Sequence, residues 1–194
     1  IDDSLKPSAQ CAKAAAKANL VLGQLTRGCT WRDPDNLTNL YKVYVRPHLE
    51  YAQASWSPWT QADIQTLEQV QRRFTRQVSG IGSLPYEERL ARLDLTTLQA
   101  RRARGDMVET YKIITGKVDV QPSTWFSLLE TREGAASTRA SSAHLSLART
   151  EAKSDMRKNQ FAVRVVPKWN ALPDLVKSQD TLVFSNFYFS SQVI

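Results

Sequence analysis

Apolar residues recur every three or four positions through most of this chain, a spacing that places them on one side of an α-helix. The spacing predicts a first helix over residues 8–27 and a second that begins near residue 35, breaks or kinks at Pro47 and resumes to residue 54. Proline causes the break because it lacks a backbone donor and its ring clashes with the preceding turn. The predicted inward residues are Cys11, Ala15, Ala18, Leu22 and Leu25 in the first helix and Leu37, Leu40, Tyr41, Tyr44 and Val45 in the second.

A third amphipathic helix is predicted over residues 63–80. Thr60 stands three residues before Asp63, which fits a capping box, and Gly80 is a suitable stop. The apolar side consists of Ile64, Leu67, Val70, Phe74 and Val78. Three arginines, Arg72, Arg73 and Arg76, fall outside that apolar arc. An ordinary solvated face and a binding face both fit this arrangement.

Two further helices are predicted over residues 85–93 and 96–115. Thr96 and Gln99 form a second capping box for the longer one, and Gly116 a second stop. Its predicted apolar side consists of Ala100, Ala103, Met107, Val108, Tyr111 and Ile114, with Arg101, Arg102 and Lys112 mostly opposite.

The remainder of the chain is less regular. Residues 133–142 are small and polar, which predicts a loop, and residues 166–172 predict a short turn or helix. Residues 143–149 and 161–165 alternate between apolar and polar, so the two could pair as a small β-hairpin. Residues 181–192 predict a last amphipathic helix. The predicted fold class is therefore mainly α: an N-terminal helical bundle over residues 1–80, then further helices and the possible hairpin over 81–194.

The charge balance favours an acidic partner. The 194 residues carry a net charge of +7 and give a pI of about 9.6. Residues 132–168 hold eight Lys or Arg against three acids, so their surplus is 8 − 3 = +5. A basic balance of this kind is typical of proteins that bind nucleic acid or another polyanion.

Candidate chemistry is sparse. Zinc needs about four Cys or His ligands at short spacing, and the chain has only Cys11, Cys29, His48 and His144, all far apart. The two cysteines lie about 27 Å apart if the first helix is continuous, so they cannot form a disulfide with each other. We therefore expect no metal, no cofactor and no catalytic site. The sequence shows no membrane span or secretory signal, and an intracellular location in cytoplasm and nucleus is expected.

Long segments carry a resemblance to a known family. They are YKVYVRPHLEYAQASWSP (41–58), DIQTLEQVQRRFTR (63–76), LPYEERLARLDLTTLQARRARGDMVETYKIITG (84–116) and FAVRVVPKWNALP (161–173). These segments resemble the C-terminal part of reverse transcriptases from non-LTR retrotransposons, in particular the jockey and chicken-repeat group of LINE elements. The match runs from residue 2 to about residue 172. The opening IDDSLKPSAQ is similar to the segment that leaves the last palm strands of such polymerases.

The resemblance also implies what this chain lacks. The polymerase aspartates of that family sit in a palm upstream of the match, and no YADD-like sequence occurs here. Asp2 and Asp3 match the segment after the palm, so they are not expected to bind metal. The family's endonuclease domain is missing too. The chain begins with Ile1 rather than Met, which indicates a piece of a longer protein.

By resemblance, residues 1–80 would be a thumb and residues 81–194 the region behind it. The implied function is non-catalytic binding of template RNA or an RNA–DNA hybrid through phosphate contacts, beside the remainder of the polymerase. The alternative is a retroelement fragment that now serves as a protein-interaction module. Trp169, in the family-like WNALP, is either a core anchor or a base-stacking residue. The candidate phosphate-contacting residues are Lys13, Lys17, Arg72, Arg73, Arg76, Arg101, Arg102, Arg139, Arg149, Arg157, Lys158, Arg164 and Lys168.

Overall fold

The computed structural model describes residues 6–30, 32–129 and 146–177. The fold is mainly α, as predicted, and none of the described helices is long and apolar enough to cross a membrane. The chain divides into two compact units between Arg102 and Ala103. The division comes later than the predicted residue 80 because residues up to Leu98 complete the core of the first unit.

The helices of the first unit follow the apolar pattern closely. The predicted first helix is confirmed and runs to Gly28. The elements in chain order are α1 (Ser8–Gly28), α2 (Pro34–Leu40), a π-helical segment (Tyr41–Val45), α3 (Arg46–Glu50), α4 (Gln53–Trp56), α5 (Gln61–Gln77), α6 (Tyr86–Arg92) and the start of α7 (Leu98–Ile114).

The core of the first unit lies where α1 crosses α5. The small residues Ala14, Ala15 and Ala18 of α1 are buried, which allows the two helices to approach closely. Tyr41 stacks on Phe74 of α5, with ring centres 4.1 Å apart and planes within 8°. Stacking of this kind adds to the stabilisation that burial of the two rings provides.

The π-helical segment interrupts the predicted second helix just before Pro47. The N–H of Arg46 donates to the carbonyl of Tyr41, five residues back, which is the π-helical spacing. Pro47 has no N–H to donate and its ring displaces the carbonyl four residues earlier, so an α-helical turn cannot form there. The wider turn leaves Tyr44 53% exposed, and the prediction that Tyr44 points inward was wrong.

Helix α5 has the predicted N-cap and a shorter C-terminal end. The backbone N–H of Asp63 donates to the Thr60 hydroxyl at 3.2 Å, which confirms the cap. The helix ends at Gln77, and Gly80 lies beyond it in a left-handed turn with φ +78°. Gly82 then passes so close to the end of α5 that a Cβ would lie 2.6 Å from the carbonyl oxygen of Arg76. Glycine is therefore required there for the loop to fold back over α5.

A buried carboxylate joins α5, α6 and α7. Glu68 of α5 is 7% exposed, and its side chain accepts hydrogen bonds from the Tyr86 hydroxyl of α6 and from the Leu98 N–H of α7, the latter at 3.0 Å. Gln71 donates to the Tyr86 hydroxyl at 3.0 Å and accepts from the Tyr41 hydroxyl at 2.9 Å. Burial, followed by the hydrogen bond to Glu68, raises the pKa of Tyr86.

The N-cap of α7 lies one residue later than predicted, and the predicted stop at Gly116 is confirmed. Thr97, not Thr96, provides the cap, because its hydroxyl accepts from the N–H of Ala100 at 3.2 Å. At the other end, Gly116 has φ +68°, and the N–H of Lys117 donates to the carbonyl of Lys112 at 2.9 Å. This is the Schellman arrangement that glycine favours after a helix.

Beyond α7, the second unit contains short helices and one isolated bridge. Leu128 pairs antiparallel with Leu147, and the rest of this unit that the structure describes contains no strand. The predicted hairpin was wrong, because Phe161–Arg164 is helical and Phe161 and Val165, four residues apart, are both buried. The short elements are α8 (Pro122–Trp125), α9 (Asp155–Lys158), α10 (Phe161–Arg164), α11 (Val166–Asn170) and α12 (Asp174–Lys177).

Trp169 is fully buried in the second unit. It is therefore a core residue, the first of the two interpretations of WNALP. The neighbouring Asn170 side chain accepts from the N–H of Leu147 and donates to the carbonyl of the same residue. The predicted loop over 133–142 and the predicted helix over 181–192 lie outside the described residues.

We expect Glu68→Ala to lower the free energy of unfolding by at least about 2 kcal/mol, because two buried donors lose their acceptor at about 1–3 kcal/mol each. Urea denaturation followed by circular dichroism measures the change. Glu88→Ala is the matched control, since Glu88 is exposed on α6, and it should change stability by no more than about 0.5 kcal/mol. Equal losses in the two variants would contradict the role of Glu68.

The two free cysteines should differ in reactivity. Cys11 is fully buried, and burial, followed by the Asp63 carboxylate, raises its pKa from 9.0 to about 11. The folded state therefore holds the thiol proton more tightly than the unfolded state does. This difference stabilises the folded protein below about pH 9, and the stabilisation is lost as the pH rises to about 11. At pH 8 we expect a disulfide reagent to label the half-buried Cys29 in the native protein and Cys11 only in denaturant. Rapid native labelling of Cys29→Ser would contradict this.

Candidate nucleic-acid interface

The three α5 arginines form an exposed basic face. Arg72, Arg73 and Arg76 are all exposed, as the apolar pattern predicted. None of them has an ion pair with a carboxylate in the part of the chain that the structure describes. Their charges are therefore available to an external anion.

The guanidinium group of Arg72 lies over an aromatic ring. Its guanidinium carbon is 3.9 Å from the centre of the Tyr86 ring, a distance at which cation and ring attract each other. Tyr86 is only 4% exposed, and its hydroxyl is held by Glu68 and Gln71. The core therefore holds the Tyr86 ring in place, and the ring in turn restricts the exposed guanidinium group of Arg72.

A fourth arginine, on α6, is buried against this face. Arg89 is 3% exposed, its Nη1 donates to the carbonyl of Arg72 at 3.2 Å, and its guanidinium carbon is 5.5 Å from the centre of the Tyr86 ring. Burial is the main cause that lowers the pKa of Arg89, followed by the positive charge of Arg76; Arg72 lowers it too. Arg89 therefore lies within electrostatic reach of both Arg72 and Arg76.

Sequence reasoning did not include Arg89 among the candidates. The signal was present, because Tyr86 and Arg89 are three residues apart on a helix that was predicted, and such residues are neighbours on the helix surface. What the pattern could not show is that this side of α6 packs against the basic side of α5.

Arg101 is engaged in a side-chain pair. Its Nε and Nη2 both donate to the Glu50 carboxylate, the latter at 3.2 Å. Arg46 approaches the same carboxylate at 3.8 Å, and burial, followed by the charge of Arg101, lowers the pKa of Arg46. One carboxylate thus serves two arginines, and Arg101 is less available to a phosphate than the α5 arginines.

Arg102 is buried, and the prediction that it lies on the solvent side of its helix was wrong. Its side chain is 4% exposed, and Nε, Nη1 and Nη2 have no hydrogen-bond partner in the part of the chain described. Burial lowers the pKa of Arg102, against the smaller opposite effect of Glu68. The physical reason is that Arg102 follows the buried Leu98 by one turn and shares its side of α7. It cannot touch a phosphate in this conformation.

The lysines of α1 are on the surface. Lys13 and Lys17 are exposed and one turn apart, opposite the alanine-rich side that packs on α5. They are accessible to an anion, as predicted.

The basic residues of the second unit divide into exposed and paired ones. Arg149, Arg157 and Lys168 are exposed. Lys158 lies 3.3 Å from Asp155, and Arg164 makes two hydrogen bonds of 2.9 Å with Asp106. Arg139 lies outside the described residues. Much of the positive charge surplus of residues 132–168 is therefore exposed. Arg164, by contrast, stabilises the second unit through its pair with Asp106.

No group of three or more Cys, His, Asp or Glu residues that could hold a metal occurs in the described ranges. The exposed lysines and arginines of the described residues offer positive charge to an anion. No family model, no curated protein and no solved structure matches this chain.

Proposed function

We propose that this chain binds RNA or an RNA–DNA hybrid, without catalysis, as the thumb and post-thumb region of a non-LTR retrotransposon reverse transcriptase. The observation that carries the proposal is the exposed α5 face, where Arg72, Arg73 and Arg76 have no ion pair with a carboxylate in the described residues. The resemblance of the four quoted segments adds the class of nucleic acid. The rest of the polymerase would supply the catalytic residues.

The chemistry of this face suits phosphates better than bases. Guanidinium groups donate two hydrogen bonds to phosphate oxygens in a fixed fork, and such contacts hold a nucleic acid in place without reading its sequence. Arg72 is held against Tyr86, so less conformational freedom is lost when it binds. The proposal therefore implies salt-dependent binding with little sequence preference.

A second candidate function, a protein-interaction module, is favoured by an apolar groove on the first unit. The groove has a volume of about 430 Å³ and is lined by residues of α1 and the π-helical segment, including Val21, Leu25 and Tyr44. Leu20 and Val43 are 53% and 62% exposed. This function predicts binding that tolerates salt and needs no arginine. Size-exclusion elution with and without added RNA separates it from nucleic-acid binding.

We expect the affinity for a fluorescent single-stranded RNA and for an RNA–DNA hybrid to fall linearly on a log–log plot against salt concentration. The double variant Arg73→Gln/Arg76→Gln should reduce the slope by about 2, because each lost phosphate contact reduces it by about 1. Fluorescence anisotropy at several salt concentrations measures this.

The matched control for that variant is Arg27→Gln. Arg27 is exposed on α1, in the same unit, and its loss changes net charge in the same direction. If Arg27→Gln reduces the slope as much per charge as the double variant does, net charge rather than the α5 face determines binding. Affinity that does not change with salt would refute the proposal.

A further inference from the structure

Two arginines lie close to the Tyr86 ring, Arg72 on α5 and Arg89 on α6. The guanidinium carbons of Arg72 and Arg89 lie 3.9 Å and 5.5 Å from the ring centre, both within the range of attraction between a cation and an aromatic face. The far end of the ring is anchored by hydrogen bonds with Glu68 and Gln71. The ring is therefore a rigid platform for positive charge.

Arg76 completes a set of three guanidinium groups. It is one helical turn after Arg72, so the two side chains project from the same side of α5. Arg89 approaches from α6 and donates to the carbonyl of Arg72. The charges of Arg76 and Arg72 both contribute, after burial, to the lowered pKa of Arg89.

This convergence has no compensating carboxylate in direct contact. Glu87 acts on Arg89 electrostatically, but no ion pair with a carboxylate is made by the three arginines within the described residues. In addition, the Nε of Arg89 is buried and has no acceptor there. Like charges brought together beside an unused buried donor are unfavourable in the free protein, and an anion would relieve the repulsion.

We propose that Arg72 and Arg76 bind one phosphate group, with Arg89 and Tyr86 as positioning residues. The exposed Arg72 and Arg76 donate to the phosphate oxygens, Arg89 adds positive charge from the buried side, and the Tyr86 ring holds the Arg72 guanidinium in place. This inference rests on the proposed function, because the phosphate group that is bound would be a phosphodiester of the nucleic-acid backbone. Arg73 is also exposed on α5, but the structure records no such neighbours for it, and it lies outside the site.

The test uses inorganic phosphate as the probe and the full chain labelled with ¹⁵N-arginine. At constant ionic strength, adding phosphate in place of chloride should shift the Nε–H signals of Arg72 and Arg76 saturably and leave that of Arg73 almost unchanged. Equal, non-saturating shifts at all arginines would indicate general screening and overturn the site, as would the absence of a shift at Arg72 and Arg76.

The roles of the positioning residues need a separate readout. Arg89→Gln should weaken phosphate binding by about tenfold, because the positive charge beside Arg72 is lost. Arg92→Gln, with the same charge change on the exposed part of α6, should not weaken it. Circular dichroism confirms that both variants fold. Tyr86→Phe is the second variant, for use if Arg89→Gln does not fold. It keeps the aromatic ring, so phosphate should still shift the Nε–H signal of Arg72. Loss of that shift in folded Tyr86→Phe, or equal affinities in Arg89→Gln and Arg92→Gln, would overturn the roles assigned.

The same samples separate this inference from the function on which it rests. If RNA binds with a steep salt dependence while phosphate leaves Arg72 and Arg76 unshifted, nucleic-acid binding stands and this site is refuted. If phosphate shifts both signals but RNA does not bind, the anion site stands and its assignment to a nucleic-acid backbone is refuted.

Discussion

The buried carboxylate of Glu68 is the interaction on which the first unit depends. It accepts from the Tyr86 hydroxyl and from the first N–H of α7, and so connects three helices through one side chain. A carboxylate at a helix N-terminus is also favoured by the helix dipole. Since Tyr86 is held by this carboxylate and in turn supports Arg72, the arrangement of the basic face follows from the polar part of the core. Surface chemistry and stability are therefore coupled in this molecule.

The distribution of ion pairs determines which positive charges are available. Glu50 holds Arg101, and Asp106 holds Arg164, so these arginines contribute mainly to structure. Arg72, Arg73 and Arg76 have no such partner in the described residues. The net charge of +7 indicated an acidic partner, but only the structure shows where that charge can be used.

Most helices could be predicted because long amphipathic segments carry strong, repeated signals. The positions of α1, α5 and α6 follow from apolar spacing, and Thr60 from capping chemistry. Short segments carried too few repeats: Phe161 and Val165 fit both an alternating strand and one face of a helix. The buried position of Arg102 could not be predicted either, since a charged residue opposite the predicted apolar side is normally solvated. The exposed α5 arginines could be identified from the apolar spacing, but Arg89 could be identified only from the way in which α6 packs against α5.

The π-helical segment also sets the register of everything between α2 and α3. Leu37, Tyr41, Val45 and Leu49 are each at most 1% exposed, although they are spaced by four residues. In an ideal α-helix that spacing drifts by about 40° at every step, so the last residue would be turned about 120° from the first. One wide turn absorbs this drift, in effect as an inserted residue. A natural variant that lacked one residue between positions 41 and 45 would keep Leu49 on the same side as Leu37, because 11 residues complete about three turns of a regular α-helix.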